Sequence, residues 1–212
     1  MAHVDVEAIL RFPTGSPPAT ELNAYHEMCE TLRTMPKATI AVIEGRAGGG
    51  GSELALSCAM RFAALPSPGR AGAGVYQPEV ALGIIPGGSG TQRLARLMGR
   101  SRALEAVLGC DDVDAELAER WGWVNRSLPA DEVWPFVERL ARRIASFPAH
   151  AVAAAKASVV RVEKEVREDL LAEGNAFSAT LGGPGAREAM EKFLADGGQT
   201  REGEMRLGSL FD

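Results

Sequence analysis

The most informative segment of the chain runs from Thr39-Ile-Ala-Val-Ile43 through Gly45-Arg-Ala-Gly-Gly-Gly-Gly51 to Ser52-Glu-Leu-Ala-Leu-Ser-Cys-Ala-Met60. The first part is a continuous, partly β-branched apolar run, which predicts a buried strand. The last part has helical composition, and Ser52 or Gly51 could cap that helix. The order of strand, glycine-rich turn and helix therefore predicts an α/β fold.

The glycine-rich turn has the chemistry of a site for negative charge. Glycines leave backbone N–H groups uncovered by side chains, and the start of the next helix adds unpaired N–H groups and the positive end of its dipole. The ligand could be a phosphate or an oxyanion that develops on a carbonyl. A P-loop is excluded because Gly51 is followed by Ser52-Glu53 without a lysine. A dinucleotide fingerprint and a nucleophile elbow do not match the glycine spacing either. A merely flexible turn is the alternative.

Two glutamates near this turn are candidates for proton transfer. Glu53 lies just inside the predicted helix, where it could instead serve as a capping or dipole partner. Glu79 lies between Pro78 and the apolar run Val80–Ile85, where desolvation would raise the pKa of its carboxyl towards neutrality. Its alternative is a loop-end residue facing water. Two such carboxyls beside a donor-rich turn would suit proton transfer next to a polarised carbonyl.

Composition sets the broad class of the protein. The 212 residues are 46% hydrophobic and 24% charged, which is typical of a globular chain with one sizeable core. The net charge of −5 argues against nucleic acid as a partner. We find no apolar run long enough for a membrane span, no secretory signal and only three scattered cysteines, so we expect a cytoplasmic protein that binds no membrane.

The character of the chain changes near residue 129. Residues 1–128 mix candidate strands, glycine turns and short helices, which predicts an α/β core. Residues 129–212 are alanine-rich and helical in pattern, with predicted helices over 131–146, 149–180 and 184–196. A Pro- and Gly-rich stretch, Pro66 to Gly74, predicts a surface loop between the two glutamates.

Five segments together resemble the enoyl-CoA hydratase/isomerase (crotonase) family. The resemblance covers residues 37–160 well and continues weakly to the C-terminus. The segments are Lys37-Ala-Thr-Ile-Ala-Val-Ile-Glu-Gly45, Gly49-Gly-Gly-Ser-Glu-Leu-Ala-Leu-Ser-Cys58, Gln77-Pro-Glu-Val-Ala-Leu-Gly-Ile-Ile-Pro-Gly87, Gly90-Thr-Gln-Arg-Leu94 and Trp121-Gly-Trp-Val-Asn125. It implies the ClpP/crotonase spiral core of β-β-α units, followed by a helical region that assembles subunits into a trimer or a dimer of trimers. The alternative for this region is a helical cap on the same subunit.

The resemblance implies a role for individual residues. Gly50 matches the position whose backbone N–H forms half of the oxyanion hole around a thioester carbonyl, and Val4 is the counterpart of the other half. Glu53 and Glu79 match the two glutamates that, in hydratases, activate water and manage the proton at the α-carbon. Residues expected to contact the substrate are Gly49, Arg46, Pro86 and Gly87, with Arg46 as a candidate contact for a phosphate of coenzyme A.

The chain departs from the family pattern in two places. Few residues precede Val4, so we expect a core shortened at its N-terminus, and Val4 could instead belong to a frayed end. Glu53 and Glu79 are 26 positions apart, several more than is usual, and the extra length falls in the loop of residues 66–74.

The resemblance implies hydration of a trans-2-enoyl-CoA thioester, with no metal and no cofactor apart from the coenzyme A of the substrate. Double-bond isomerisation, or other acyl-CoA chemistry, is one alternative. A non-catalytic, truncated subunit is the other.

Overall fold

The chain folds as a set of small sheets surrounded by helices, and the computed structural model describes residues 3–163 and 166–205. The strands in this part are β1 (Ile40–Ile43), β2 (Arg46–Gly48), β3 (Met60–Ala64), β4 (Gly74–Tyr76), β5 (Val113–Asp114) and β6 (Arg126–Leu128). The helices are α1 (Val6–Ile9), α2 (Ala24–Thr34), α3 (Gly50–Ser57), α4 (Gly90–Met98), α5 (Arg100–Gly109), α6 (Ala115–Trp121), α7 (Val133–Ala145), α8 (Ala149–Val160), α9 (Val166–Leu181), α10 (Ala186–Ala195) and α11 (Arg201–Glu204). One turn of 3₁₀ helix spans Glu79–Leu82.

Two three-stranded sheets form the α/β part. In the first, β3 lies between β1 and β6, and all three strands are parallel. In the second, β4 lies between β2, which is parallel to it, and β5, which is antiparallel. Gly48 of β2 is paired with Tyr76 of β4, and a Cβ at position 48 would collide with the Tyr76 ring. This close approach explains why the turn begins with a glycine inside the strand.

The predicted strand over residues 39–43 is confirmed as β1. The helix that follows begins at Gly50, two residues before the position expected from Ser52, and no side chain caps it. The Ser52 hydroxyl is used elsewhere, because it accepts a hydrogen bond from Trp123 Nε1 at 3.1 Å. The N–H groups of the first turn of α3 are therefore not taken by a capping side chain of this helix.

The predicted helix over residues 149–180 is wrong as a single helix. The structure has two helices, α8 and α9, and α8 ends with Arg161 as its C-cap. Three β-branched residues, Val159, Val160 and Val162, lie at this break and lower the local preference for helix. Beyond the break, α9 packs against α4, and α10 packs against the 3₁₀ turn.

The C-terminal helices pack onto the α/β part through apolar side chains of both parts. Met190 and Phe193 of α10 are buried with Ile84 and with Val6 of α1. On another face, Val133 and Val137 of α7 pack on the outer side of β3. The division of the chain at residue 128 stays a prediction. Among residues 3–163 and 166–205, no helix has the length and apolar character needed to cross a bilayer.

Candidate active site

A cavity of about 360 Å³ lies between the glycine-rich turn and the C-terminal helices. Glu53, Glu79 and Tyr25 form its polar end, together with the backbone of Gly50 and Gly88. The remaining wall is largely apolar and includes Val6, Ile9, Leu82, Ile84, Phe177 and Phe193. A concave apolar space with a few convergent polar groups is the usual form of a small-molecule site.

Glu53 reaches this cavity from the first turn of α3. Its carboxylate does not cap its own helix. Instead, Oε1 accepts hydrogen bonds from the N–H groups of Gly88 at 2.9 Å and Gly90 at 2.8 Å, on the loop before α4. Burial raises the pKa of Glu53, and the charge of Glu173 raises it further, while the two N–H groups and Arg93 oppose the rise. The two N–H donors fix the orientation of the carboxylate.

Glu79 begins the 3₁₀ turn and faces Glu53 across the cavity. Its side chain lies so close to the glycine turn that a Cβ on Gly49 would be 2.6 Å from Glu79 Oε1. The other oxygen, Oε2, is buried and has no hydrogen-bond partner within the described residues. Burial raises the pKa of Glu79 well above its usual range, and the charge of Glu53 adds to this rise. Such an environment favours the protonated form of the carboxyl.

The structure brings Val4 and Gly50 together, as the resemblance implies for an oxyanion hole. Gly50 is the first residue of α3, so its N–H has no acceptor within the helix. Val4 lies directly against it, because a Cβ on Gly50 would collide with Val4 Cγ2. Both residues line the cavity that contains the two glutamates. Their role as donors to a carbonyl stays a prediction.

Of the four residues predicted to contact the substrate, two lie at the cavity or beside Glu79, and two do not. Gly87 lines the cavity, and Gly49 lies beside Glu79 as described. Pro86 is fully buried and is not part of the cavity wall. Arg46 is turned away from this wall. Its guanidinium binds both carboxylate oxygens of Asp112, at 2.6 and 2.5 Å, and lies 4.7 Å above the Tyr76 ring.

Tyr25 is a site residue that we did not predict from the sequence. It projects from α2, half-buried, and its hydroxyl donates a hydrogen bond to the carbonyl oxygen of Gly50. Burial raises the pKa of the Tyr25 phenol above its usual range, and the charge of Glu53 acts in the same direction. The helical pattern of α2 gave no signal for this role, since Tyr25 has the spacing of an ordinary core residue.

His3 also lines the cavity, whereas His26 is buried behind it, with Nε2 3.6 Å from Glu173 Oε1. Within the described part of the chain, His, Cys, Asp and Glu side chains form no group of three or more that could hold a metal ion.

Sequence comparison identifies the family. The sequence profile of the family described as "Enoyl-CoA hydratase/isomerase" matches residues 5–199, which include Gly50, Glu53 and Glu79. The chain belongs to this family. Val4 lies one residue before the matched region.

Individual relatives agree with this membership. The chain is 37% identical over 164 residues to a crotonyl-CoA hydratase from Syntrophomonas wolfei, an alignment that covers 77% of this chain and 61% of the relative. It is 35% identical over 164 residues to a short-chain-enoyl-CoA hydratase from Clostridium acetobutylicum, covering 77% and 60%. The chain thus spans about three fifths of the length of these curated relatives.

A solved structure confirms the crotonase fold. The chain superimposes on a candidate enoyl-CoA hydratase from Streptomyces avermitilis with a TM-score of 0.85 and 40% sequence identity. The match covers 99% of this chain and 76% of that one. The predicted α/β fold and the resemblance on which it was based are therefore both confirmed.

Proposed function

We propose that this protein hydrates a trans-2-enoyl-CoA thioester. The observation that carries the proposal is the pair of buried carboxyls, Glu53 and Glu79, at one end of an apolar cavity beside the Gly49–Gly50 turn. The names of relatives that hydrate enoyl-CoA esters support the same substrate class. An apolar wall suits an acyl group, and paired carboxyls suit the movement of protons at neutral pH.

The environments of the two glutamates support different tasks for them. Burial raises the pKa of both carboxyls, but Glu53 receives two backbone N–H donors that oppose this rise, so in our proposal Glu53 is the base that removes a proton from water. Glu79 has no donor for Oε2 among the described residues, and the raised pKa of its carboxyl suits a proton donor. The oxygen of this water bonds to the β-carbon, and the electron pair of the C=C bond shifts to form an enolate on the thioester carbonyl. Glu79 then gives its proton to the α-carbon, which completes the addition of water.

The backbone at the start of α3 would stabilise the charge that develops on the thioester oxygen. The N–H of Gly50 would donate to this oxygen, with the N–H of Val4 as the second donor of the oxyanion hole. A donor of this kind can lower the barrier by about 3 kcal/mol. Gly49 and Gly87 keep the backbone accessible next to Glu79 and Phe177, because a Cβ at either position would collide with these side chains. A contact of Arg46 with coenzyme A requires that its ion pair with Asp112 is first broken. Pro86 is buried next to Gly90 and would act by packing against the start of α4.

The direct test is the loss of enoyl-thioester absorbance when crotonyl-CoA is mixed with the purified chain. We expect turnover by the wild-type protein and a decrease of about 10²- to 10⁴-fold in kcat for Glu79→Gln. Glu116→Gln, which removes a carboxylate from the exposed surface of α6, is the matched control and should keep full activity. A folded wild-type protein without turnover would contradict the proposal and leave a non-catalytic subunit as the alternative.

Isomerisation of the double bond is the second candidate, because the same two carboxyls could move a proton between the α- and γ-carbons. A β,γ-unsaturated acyl-CoA distinguishes the two reactions. An isomerase would convert it to the conjugated ester in the absence of net water addition, and a hydratase would not.

We also propose that the chain forms a trimer or a dimer of trimers. The support is α8, which has no buried residue although it consists mainly of alanine and valine. Its lysine, Lys156, points inward and donates to the carbonyl oxygens of Leu32 and Lys37. The outward face carries Val159, which is 72% exposed, and this face suits a second copy of the chain.

A further inference from the structure

The loop of residues 88–92, which leads into α4, is held by two buried carboxylates. Glu53 binds the N–H groups of residues 88 and 90, as described above. Glu173 binds the other three, accepting from Ser89 at 2.5 Å, Thr91 at 3.0 Å and Gln92 at 3.3 Å. Five successive N–H groups are therefore shared between a site residue and a glutamate from the C-terminal helices.

Glu173 lies on α9, and its side chain is fully shielded from water. The Thr91 hydroxyl donates a further hydrogen bond to Glu173 Oε2, and His26 Nε2 is 3.6 Å from Oε1. A carboxylate without water requires such donors, since an unpaired buried charge is strongly unfavourable. Among the described residues, its close polar contacts other than His26 are all with this one loop, and the loop carries the donors for Glu53.

We infer that Glu173 is a positioning residue for Glu53: it holds the loop of residues 88–92 from the opposite side and thereby fixes the donors on which the Glu53 carboxylate rests. The inference depends on the proposed function for its catalytic meaning, because Glu53 is the base of that proposal. It also gives α9 an indirect part in the site, through a residue that does not touch the substrate cavity, in addition to the place of Phe177 in the cavity wall.

The charge of Glu173 has a second effect on Glu53. Ionisable groups face Glu53 from every element around it: Glu173 on α9, Glu79 on the 3₁₀ turn, Tyr25 and Cys29 on α2, and Arg93 on α4. After burial, Glu173 is the main cause of the raised pKa of Glu53, and Arg93 acts against it. The charge of Arg93 is itself shared with Glu30, to which it donates at 2.8 Å. Removal of the Glu173 charge should therefore lower the pKa of Glu53.

The test compares Glu173→Gln with wild type by a pH titration of the Glu53 carboxyl, followed by ¹³C NMR and assigned by its loss in Glu53→Gln. We expect the titration midpoint of Glu53 to fall by about one pH unit in Glu173→Gln. Glu168→Gln removes the same charge from an exposed position of the same helix and should leave the midpoint unchanged. The midpoint reports the charge of Glu173, and amide exchange reports its hold on the loop. The amides of Gly88 and Gly90, which donate to Glu53, should exchange with solvent about tenfold faster or more in Glu173→Gln than in Glu168→Gln. Unchanged exchange of these two amides would overturn the inference.

Enzyme kinetics give a separate readout. For hydration of crotonyl-CoA, Glu173→Gln should shift the acidic limb of the pH profile of kcat to lower pH and reduce kcat at the optimum more than it changes KM. A folded variant with the wild-type profile would overturn the inference. If wild type does not hydrate crotonyl-CoA, the proposed function fails, whereas amide exchange of Gly88 and Gly90 still decides whether Glu173 positions the donors of Glu53.

A third measurement covers the case in which Glu173→Gln does not fold. Thr91→Val keeps the charge and the shape but removes the hydroxyl donor to Glu173 Oε2. In wild type, the Ser89 amide should exchange with solvent as slowly as the amides of α4, although it precedes the helix. Thr91→Val should accelerate this exchange by about tenfold or more. Fast exchange of the Ser89 amide in wild type would overturn the inference.

Discussion

At the scale of single residues, Glu53 and Glu79 are buried carboxyls, so the stability of the protein should depend on their protonation. Burial raises the pKa of Glu79 from its ordinary value of 4.5, so the folded protein holds this proton more tightly than the unfolded chain does. The contribution of Glu79 is therefore most favourable below about pH 4.5. It becomes unfavourable as the pH rises towards the higher folded-state pKa.

Glu79→Gln should remove this dependence on pH. Its free energy of unfolding, relative to wild type, should increase by at least about 1 kcal/mol between pH 5 and pH 8, since one pKa unit corresponds to about 1.4 kcal/mol. Urea unfolding at both pH values measures the difference, and Glu116→Gln serves as the exposed control. A constant difference between Glu79→Gln and wild type would show that Glu79 has the same pKa in both states.

Tyr25→Phe tests a further polar residue of the cavity. The substitution keeps the ring and removes the hydroxyl, which donates to the carbonyl oxygen of Gly50 and also interacts with Cys29 on the same helix. The N–H of Gly50 is the proposed oxyanion donor. We expect kcat to fall about fivefold, which corresponds to about 1 kcal/mol, with a smaller change in KM. Thr31→Val removes a hydroxyl bond from an exposed part of the same helix and should leave kcat unchanged. Equal kcat values for both variants would refute the role of Tyr25.

At the scale of elements, the turn between β2 and α3 depends on Gly49. This residue has φ +47° and ψ −127°, a conformation that side chains rarely adopt, and its missing Cβ leaves room for Glu79. Gly49→Ala should destabilise the protein by about 1–3 kcal/mol and displace Glu79, with loss of hydration. Gly45→Ala, in the same segment but with open space around it, should cost little. Thermal melts and crotonyl-CoA turnover measure both effects, and a fully active Gly49→Ala would contradict the geometry.

The sequence indicated those parts of the site that are local in the chain. The strand, the glycine turn and Glu53 follow one another within residues 39–60, and the family pattern located Glu79. Glu53 and Glu79 are separated by more residues than is usual, and the turn between Ser67 and Arg70 accommodates part of this extra length at the protein surface. Tyr25 and Glu173 could not be predicted from local sequence, because they are distant in the chain from the groups they bind. Only the packing of α2 brings Tyr25 to Gly50, and only the packing of α9 brings Glu173 to the loop of residues 88–92. Strands β2 and β4, three residues each, depend on pairing with each other and leave no periodic signal.

At the scale of the whole molecule, α8 presents an apolar side to solvent and directs its lysine towards the carbonyl oxygens of Leu32 and Lys37 near the end of α2. Ala151, Ala155 and Val159 recur at helical spacing along the outer side, Val162 follows just beyond the end of the helix, and all four are exposed. Val159 and Val162 are 72% and 84% exposed. Exposure of several neighbouring apolar side chains to water is unfavourable. Contact with further copies of the chain would cover this surface, and we expect a mass of three or six chains in solution.

Val159→Asp combined with Val162→Asp tests this assembly. Two charges on the apolar surface should dissociate the oligomer into single chains, because burial of an unpaired carboxylate is strongly unfavourable. Sedimentation equilibrium gives the mass, and circular dichroism reports whether the separate chains stay folded. Glu105→Gln with Glu116→Gln, which changes two charges at other exposed positions, should keep the wild-type mass. A wild-type protein that sediments as one chain at micromolar concentration would make α8 a helical cap rather than an assembly surface. The apolar face would then require a partner other than a second copy of this chain.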